Sequence, residues 1–178
     1  MVWEFLRSED ELDFRIFRLR KDLYRKGSED VSHSYVVLDG PDWVNVVAFS
    51  AAGELILVRQ YRHGVRGDTV EFPGGLIDPG EEPLEAARRE LLEETGYRSS
   101  DWLELGWVYP NPAIQSNRCY TFLARDCEWV SDQDLDPQEA IEVELWLRER
   151  WLDALDSGSF RHSLVVAGFM LYFAKFPR

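Results

Sequence analysis

The chain is poor in cysteine and histidine, with two and three in 178 residues. Cys119 and Cys127 match no zinc-ligand spacing, and two thiols do not make a disulfide scaffold, so a reduced, cytoplasmic setting is expected. Long apolar runs are also missing. The longest, Leu164 to Ala174, is too short to span a bilayer and reads instead as a buried C-terminal helix. The first residues, "VWEFLRSEDELDF", carry acids early and lack the basic and apolar regions of a signal peptide. Positive charge is scarce: 20 Lys and Arg against 33 Asp and Glu leave a net charge of -13. Such a surface repels nucleic-acid backbones and anionic membranes, so neither is expected as a partner. A phosphate-bearing ligand would need its site neutralised locally. No internal repeat or low-complexity tract stands out.

What is present suits an ordinary globular chain: 45% hydrophobic residues, with seven Trp and ten Phe. Up to about Gly40, short alternations such as "FRIFRLRKDLY" and the run "YVVL" before "DGPD" predict a small N-terminal unit of two or three strands. "VNVVAF" and "ELILVRQY", separated by "SAAG", predict an antiparallel pair. Val70 to Phe72 predicts a short strand, stopped by Pro73. "LELGWVY", "CYTFLA" and "IEVELWL" predict three more. The chain then closes with a short helix near Trp151 to Asp156 and the apolar helix after Ser163. Strands and helices interleave without a regular βαβ repeat, which implies mixed α/β layers with helices against a central sheet.

The stretch "GGLIDPGEEPLEAARRELLEETGY", Gly74 to Tyr97, carries the chemistry. Pro83 suits a first helical turn and Gly96 the left-handed position after the last. Leu84, Ala87 and Leu91 recur at core-facing spacing, while Glu90, Glu93 and Glu94 share another face. Like charges at that spacing repel, and the negative end of the helix dipole adds to the cost. A hard divalent cation would relieve the repulsion, since Mg²⁺ is usually held by a few carboxylates together with substrate phosphate oxygens and water. Arg89 stands four residues after Glu85 and four before Glu93, so pairing with both is expected.

Gly75, Glu81, Arg89, Glu90, Leu91, Glu93, Glu94 and Gly96 fall at the positions of the Nudix box, and the chain resembles the Nudix hydrolase superfamily. Tyr97 occupies the last, usually aliphatic, position. The resemblance implies an α/β/α sandwich around a mixed sheet over residues 41–178, preceded by an N-terminal β unit over 1–40. It implies hydrolysis of a nucleoside diphosphate linked to another moiety, with Mg²⁺ as cofactor and Mn²⁺ as its substitute. Metal ligation falls to Glu90, Glu94 and the Gly74 carbonyl. Glu93 is a further ligand or base, Arg89 holds the glutamates, and Gly75 and Glu81 support the loop and helix. Glu139 is a candidate base in the acidic loop "SDQDLDPQEA", with Asp134, Asp136 and Glu142 as rivals.

"LVRQYRHG" followed by "VEFPGG" is similar to the ADP-ribose and nucleotide-sugar pyrophosphatase branch, whose N-terminal strands often build a homodimer. Gly74 replaces the branch's usual Ala, and "NPAIQSNRCY" replaces its Pro-Gly-acid segment, so nucleotide sugars stand beside ADP-ribose as expected substrates. Arg62, Arg59 and Arg118 are the cations to aim at phosphate oxygens. Glu71 is placed to hold the box loop or a metal-bound water. Trp43, Trp107 and Tyr109 are candidates for a stacking face, and His63 for a phosphate contact; His33 and His162 rank lower. Nucleoside triphosphates, dinucleoside polyphosphates and a non-catalytic nucleotide sensor are the alternatives.

Overall fold

The computed structural model describes residues 2–14 and 16–178. Ten strands and three helices are present among them: β1 (Trp3–Asp13), β2 (Arg18–Lys26), β3 (Ser32–Asp39), β4 (Trp43–Ser50), β5 (Leu55–Arg62), β6 (Gly67–Glu71), α1 (Pro83–Thr95), β7 (Tyr97–Arg98), β8 (Asp101–Val108), β9 (Cys119–Trp129), β10 (Ile141–Trp146), α2 (Arg148–Asp156) and α3 (Ser163–Lys175). They divide into two compact units, Met1–Asp42 with Tyr109–Arg118, and Trp43–Val108 with Cys119–Arg178.

The first unit is an antiparallel sheet in the order β1-β2-β3. Its acidic first strand persists because charges answer one another across strands: Arg25 meets Glu4 at 2.7 Å, and Asp22, almost fully buried, takes bonds from Ser8 at 2.7 Å and Arg20 at 3.0 Å. One face is aromatic, with Tyr24 edge-on to Phe5 and Tyr35 at 5.5 and 5.8 Å between centroids. The segment Tyr109–Arg118 joins this unit through Leu38 N–H to the Ile114 carbonyl (2.7 Å) and Ser116 Oγ to Asp39 (2.6 Å).

The second unit is built on a mixed sheet in the order β10-β5-β4-β9-β7, with β6 paired to β5 and β8 to β9. Only the central pair, β4 and β9, is parallel. β4 is apolar almost throughout because it is covered on both sides. Val44, Val46 and Ala48 face α1, packing with Ile56, Ala86, Ala87, Leu91 and Phe122. Val47 faces the other way, into a core with Leu55, Leu57, Trp151, Val165 and Phe169 of β5, α2 and α3. The α/β/α sandwich implied by the resemblance is the architecture of this unit.

Two local expectations need correction. The C-terminal helix is buried along one side only: Leu164, Val165, Gly168 and Phe169 are inside, whereas Met170 is 66% exposed. Glu85 pairs with Arg88, at 2.6 Å, and not with Arg89, whose guanidinium is drawn toward the loop before the helix.

Candidate active site

The loop after β6 is stitched to β4. Val46 N–H donates to the Pro73 carbonyl and Val44 N–H to the Gly75 carbonyl, at 2.8 and 2.9 Å. Both glycines are forced by this close approach. A Cβ on Gly74 would strike the Val44 carbonyl, and one on Gly75 would strike the Glu90 carboxylate. The helix then begins at Pro83 and ends on Gly96, left-handed at φ 72°, as its sequence predicts.

Arg89 organises the junction of loop and helix. Its guanidinium donates to both oxygens of Glu81 (3.0 and 2.9 Å), to the Leu76 carbonyl (3.0 Å), to Glu90 (2.8 Å) and to Glu93 (3.1 Å). These bonds hold the Glu81 carboxyl below its usual range. Glu94 is buried, 4% exposed, and accepts the Gly74 N–H at 2.8 Å. Burial pushes its carboxyl up to about 8, against that hydrogen bond, with the charges of Glu90 and Glu139 adding to the rise. Burial likewise pushes Glu90 up to about 7, although Arg89 opposes it.

These groups wall a cleft of about 1130 Å³. Opposite elements contribute Gln60 and Arg62 of β5, Thr69 and Glu71 of β6, Trp43 and Asn45 of β4, Asp134, Asp136 and Glu139 of the acidic loop, and Arg161 and His162 before α3. The acidic loop is tied to the end of α1 by Asp134 N–H to the Glu93 carbonyl (2.9 Å) and by Gln133, which reaches the Glu94 and Ile141 carbonyls. Glu139 lies exposed in it and accepts the Asp136 N–H at 3.1 Å.

Arg62 and Glu71 form a bidentate pair at 2.8 and 2.7 Å, and Thr69 adds a bond to Glu71 at 2.5 Å. Burial alone would raise the Glu71 carboxyl; the Arg62 and Thr69 bonds outweigh it and hold Glu71 below its usual value. His162 stands 3.7 Å from Glu71, and burial lowers its own pKa.

The structure therefore gathers Gly74, Gly75, Glu90, Glu93, Glu94, Arg89, Arg62, Glu71 and Glu139 around one cleft, with Glu81 behind Arg89. Two of the expected cations fall elsewhere. Strand alternation turns Arg59 to the face opposite Gln60 and Arg62, where it pairs with Glu144 at 2.6 Å. Arg118 belongs to the first unit, its N–H bonded to Asp42 at 2.6 Å. Glu142 lies across from Arg59 on β10, outside the cleft, and so do Trp107 and Tyr109, whereas His63 does line it. Thr69, Asn45 and Arg161 were not singled out by the sequence, and His162 was ranked low. Thr69 had a signal, since it stands two residues before Glu71 on one strand face.

Among the described residues, no three acidic, His or Cys side chains converge as a metal-binding group. One nitrogen of Arg89 bridges Glu90 and Glu93, and the Gly74 N–H holds Glu94. The donor set nevertheless fits a hard divalent cation, because buried Glu94 and half-buried Glu90 both have raised pKa values and the one cation paired with Glu90, Arg89, is shared with Glu81 and Glu93.

Residues 41–168 match the family model described as NUDIX domain, and the chain belongs to that family. It is 33% identical to the ADP-ribose pyrophosphatase of Bacillus subtilis (strain 168) over 108 residues, 60% of this chain and 58% of that protein. With the ADP compounds hydrolase NudE of Escherichia coli (strain K12) it shares 32% over 117 residues, 66% of this chain and 62% of the other. The chain thus spans about three fifths of the length of these two relatives. In three dimensions it is similar to a crystal structure of ADP compounds hydrolase, with a TM-score of 0.83 and 26% identity, covering all of this chain and 97% of the other.

Proposed function

We propose that the protein hydrolyses the diphosphate bond of ADP-ribose or a nucleoside diphosphate sugar, giving a nucleoside monophosphate and a sugar phosphate. The observation that carries this reading is the pair Glu90 and Glu94, whose carboxyls burial pushes up, in the wall of a cleft large enough for a dinucleotide-sized ligand. Relatives named ADP-ribose pyrophosphatase, ADP compounds hydrolase and GDP-mannose pyrophosphatase support the same substrate class.

Glu90, Glu94 and the Gly74 carbonyl would hold Mg²⁺, or Mn²⁺ in its place, with Glu93 as a further ligand. The bound cation supplies charge that screens the diphosphate and acidifies a water. Arg89 fixes Glu81, Glu90 and Glu93 by four bonds, and the Gly74 N–H fixes Glu94, so that their geometry does not depend on the ligand. Glu139 keeps one oxygen on the Asp136 N–H and offers the other to the proton of the attacking water. The water oxygen bonds to one phosphorus, the bridging P–O bond breaks, and the bridging oxygen leaves on the second phosphate. Arg62, braced by Glu71, meets the phosphate oxygens with its remaining N–H groups.

The first unit is proposed as a homodimerisation element. Trp3, Phe5 and Tyr35, which share its aromatic face, remain 42%, 53% and 44% exposed. A reduced, cytoplasmic location accords with Cys119 and Cys127, both buried thiols outside any disulfide. No helix among the described residues is long and apolar enough to cross a membrane.

The test is product analysis from ADP-ribose, ADP-, GDP- and UDP-sugars, dinucleoside polyphosphates and nucleoside triphosphates with Mg²⁺ or Mn²⁺. Release of a monophosphate and a sugar phosphate is expected. Pyrophosphate release from triphosphates as the dominant activity would overturn the reading.

A further inference from the structure

Three arginines line the cleft, and two of them are already ion-paired. Arg62 is locked to Glu71, and Arg89 is shared among Glu81, Glu90 and Glu93. Arg161 differs: among the described residues, no carboxylate lies within ion-pair distance of it, although the chain as a whole is strongly acidic. Its position is nonetheless fixed from both sides. Phe160 before it is buried between Trp146 and Phe169, at ring-centroid distances of 5.7 and 5.1 Å. His162 after it caps α3, where Nδ1 accepts the Leu164 N–H at 3.3 Å.

That cap decides the chemistry of the imidazole. With Nδ1 accepting, the ring proton of the neutral form sits on Nε2. Among the described residues Nε2 has no hydrogen-bond partner; the Glu71 carboxylate oxygen lies 3.7 Å away and already receives Arg62. Histidine is an uncommon N-cap beside Ser, Thr, Asp or Asn, and a Ser, Thr or Asp cap would place no N–H in the cleft. A half-buried donor and an uncommitted guanidinium thus stand side by side on an anchored segment in the cleft wall, apart from the glutamates.

We propose that Arg161 and His162 form a phosphate-oxygen subsite that receives one phosphate of the substrate and retains it as the monoester product. The inference rests on the diphosphate-hydrolase reading and adds residues to it. Arg161 brings the charge and two or more N–H donors; His162 brings one neutral donor whose direction the helix cap sets. Because both contacts are present before and after bond cleavage, they stabilise bound substrate and transition state alike, and their loss falls on KM.

The experiment compares wild type with Arg161→Ala, Arg161→Lys and His162→Ser in the full chain. Serine retains the cap while removing the ring donor, and the unpaired, exposed Arg161 costs the fold little, so unchanged melting temperatures are expected. Arg161→Ala should raise KM for the preferred diphosphate substrate about 10- to 100-fold with kcat within about threefold, and Lys should recover part of the loss. His162→Ser should raise KM about 3- to 10-fold. Calorimetric titration with inorganic pyrophosphate, in the absence of metal, should weaken in the same order. A KM and a pyrophosphate affinity in Arg161→Ala within twofold of wild type would overturn the subsite. If wild type turns over none of the diphosphate panel, the functional reading falls, and the pyrophosphate titration alone decides whether Arg161 and His162 bind phosphate.

Discussion

Replacing Glu94 by Gln should stabilise the metal-free protein while removing its activity. The Glu94 carboxyl moves from an ordinary value of 4.5 to about 8 on folding, mainly through burial. A group whose folded pKa is raised favours folding fully only below its unfolded pKa, and that support is lost as pH rises toward the folded one. The window is therefore pH 4.5 to 8. At pH 7 the difference is 7 minus 4.5, roughly 2.5 units at about 1.4 kcal/mol each, or about 3.5 kcal/mol of penalty carried by the wild type. Glutamine keeps an oxygen for the Gly74 N–H but adds an NH₂ group that needs an acceptor, so a net gain of about 1–3 kcal/mol is expected. For a chain of this length that is a rise of roughly 3–10 °C in Tm. Urea unfolding in EDTA from pH 5 to 8.5 measures it. The two proteins should be alike at pH 5 and diverge as pH increases, with Mg²⁺ then stabilising the wild type alone. A Glu94→Gln protein that is no more stable than wild type at pH 8 would refute the idea that this helix stores electrostatic strain for a cation.

Glu90 and Glu94, at about 7 and 8, should release protons when a divalent ion binds at pH 7, read as a dependence of the calorimetric heat on buffer ionisation enthalpy. Metal affinity should accordingly rise between pH 6 and 8.5. Gly75→Ala drives a methyl into the Glu90 carboxylate and should weaken metal binding at least about tenfold, while far-ultraviolet circular dichroism stays native. Gly168→Ala places a Cβ 2.7 Å from Cε2 of Phe72 in the core; a loss of about 1–3 kcal/mol in stability with normal kcat per folded molecule is the expected result.

The central strands and α1 were legible because β4 and β5 are continuous apolar runs and because Pro83 and Gly96 punctuate the helix. The acidic start of the chain was not read as a strand. Its support is cross-strand pairing, Glu4 with Arg25 and Ser8 with Asp22, between residues 14 to 21 positions apart. A far longer separation, 77 positions between Asp39 and Ser116, hid the Tyr109–Arg118 segment, which docks through that pair and through backbone bonds that carry no residue signature. In the cleft, helical spacing gathered the three glutamates, but it did not reveal that Glu94 is buried against a backbone N–H while Glu93 is half-buried. Arg62 ranked ahead of Arg59 in "VRQYR", but both were aimed at phosphate; strand alternation and the partners Glu71 and Glu144 separate them. His162 was undervalued because its meaning depends on a helix start that fixes the ring's tautomer.

The stitching of Pro73 and Gly75 onto β4 has a consequence for the time course of opening. The Val44 and Val46 amides that make these bonds sit on a strand whose side chains are among the most buried in the molecule. Deuterium should enter them only when the whole second unit unfolds. The glycine loop would then behave as part of the slowest-exchanging foldon, while the exposed mouth of the cleft around Val65 exchanges early.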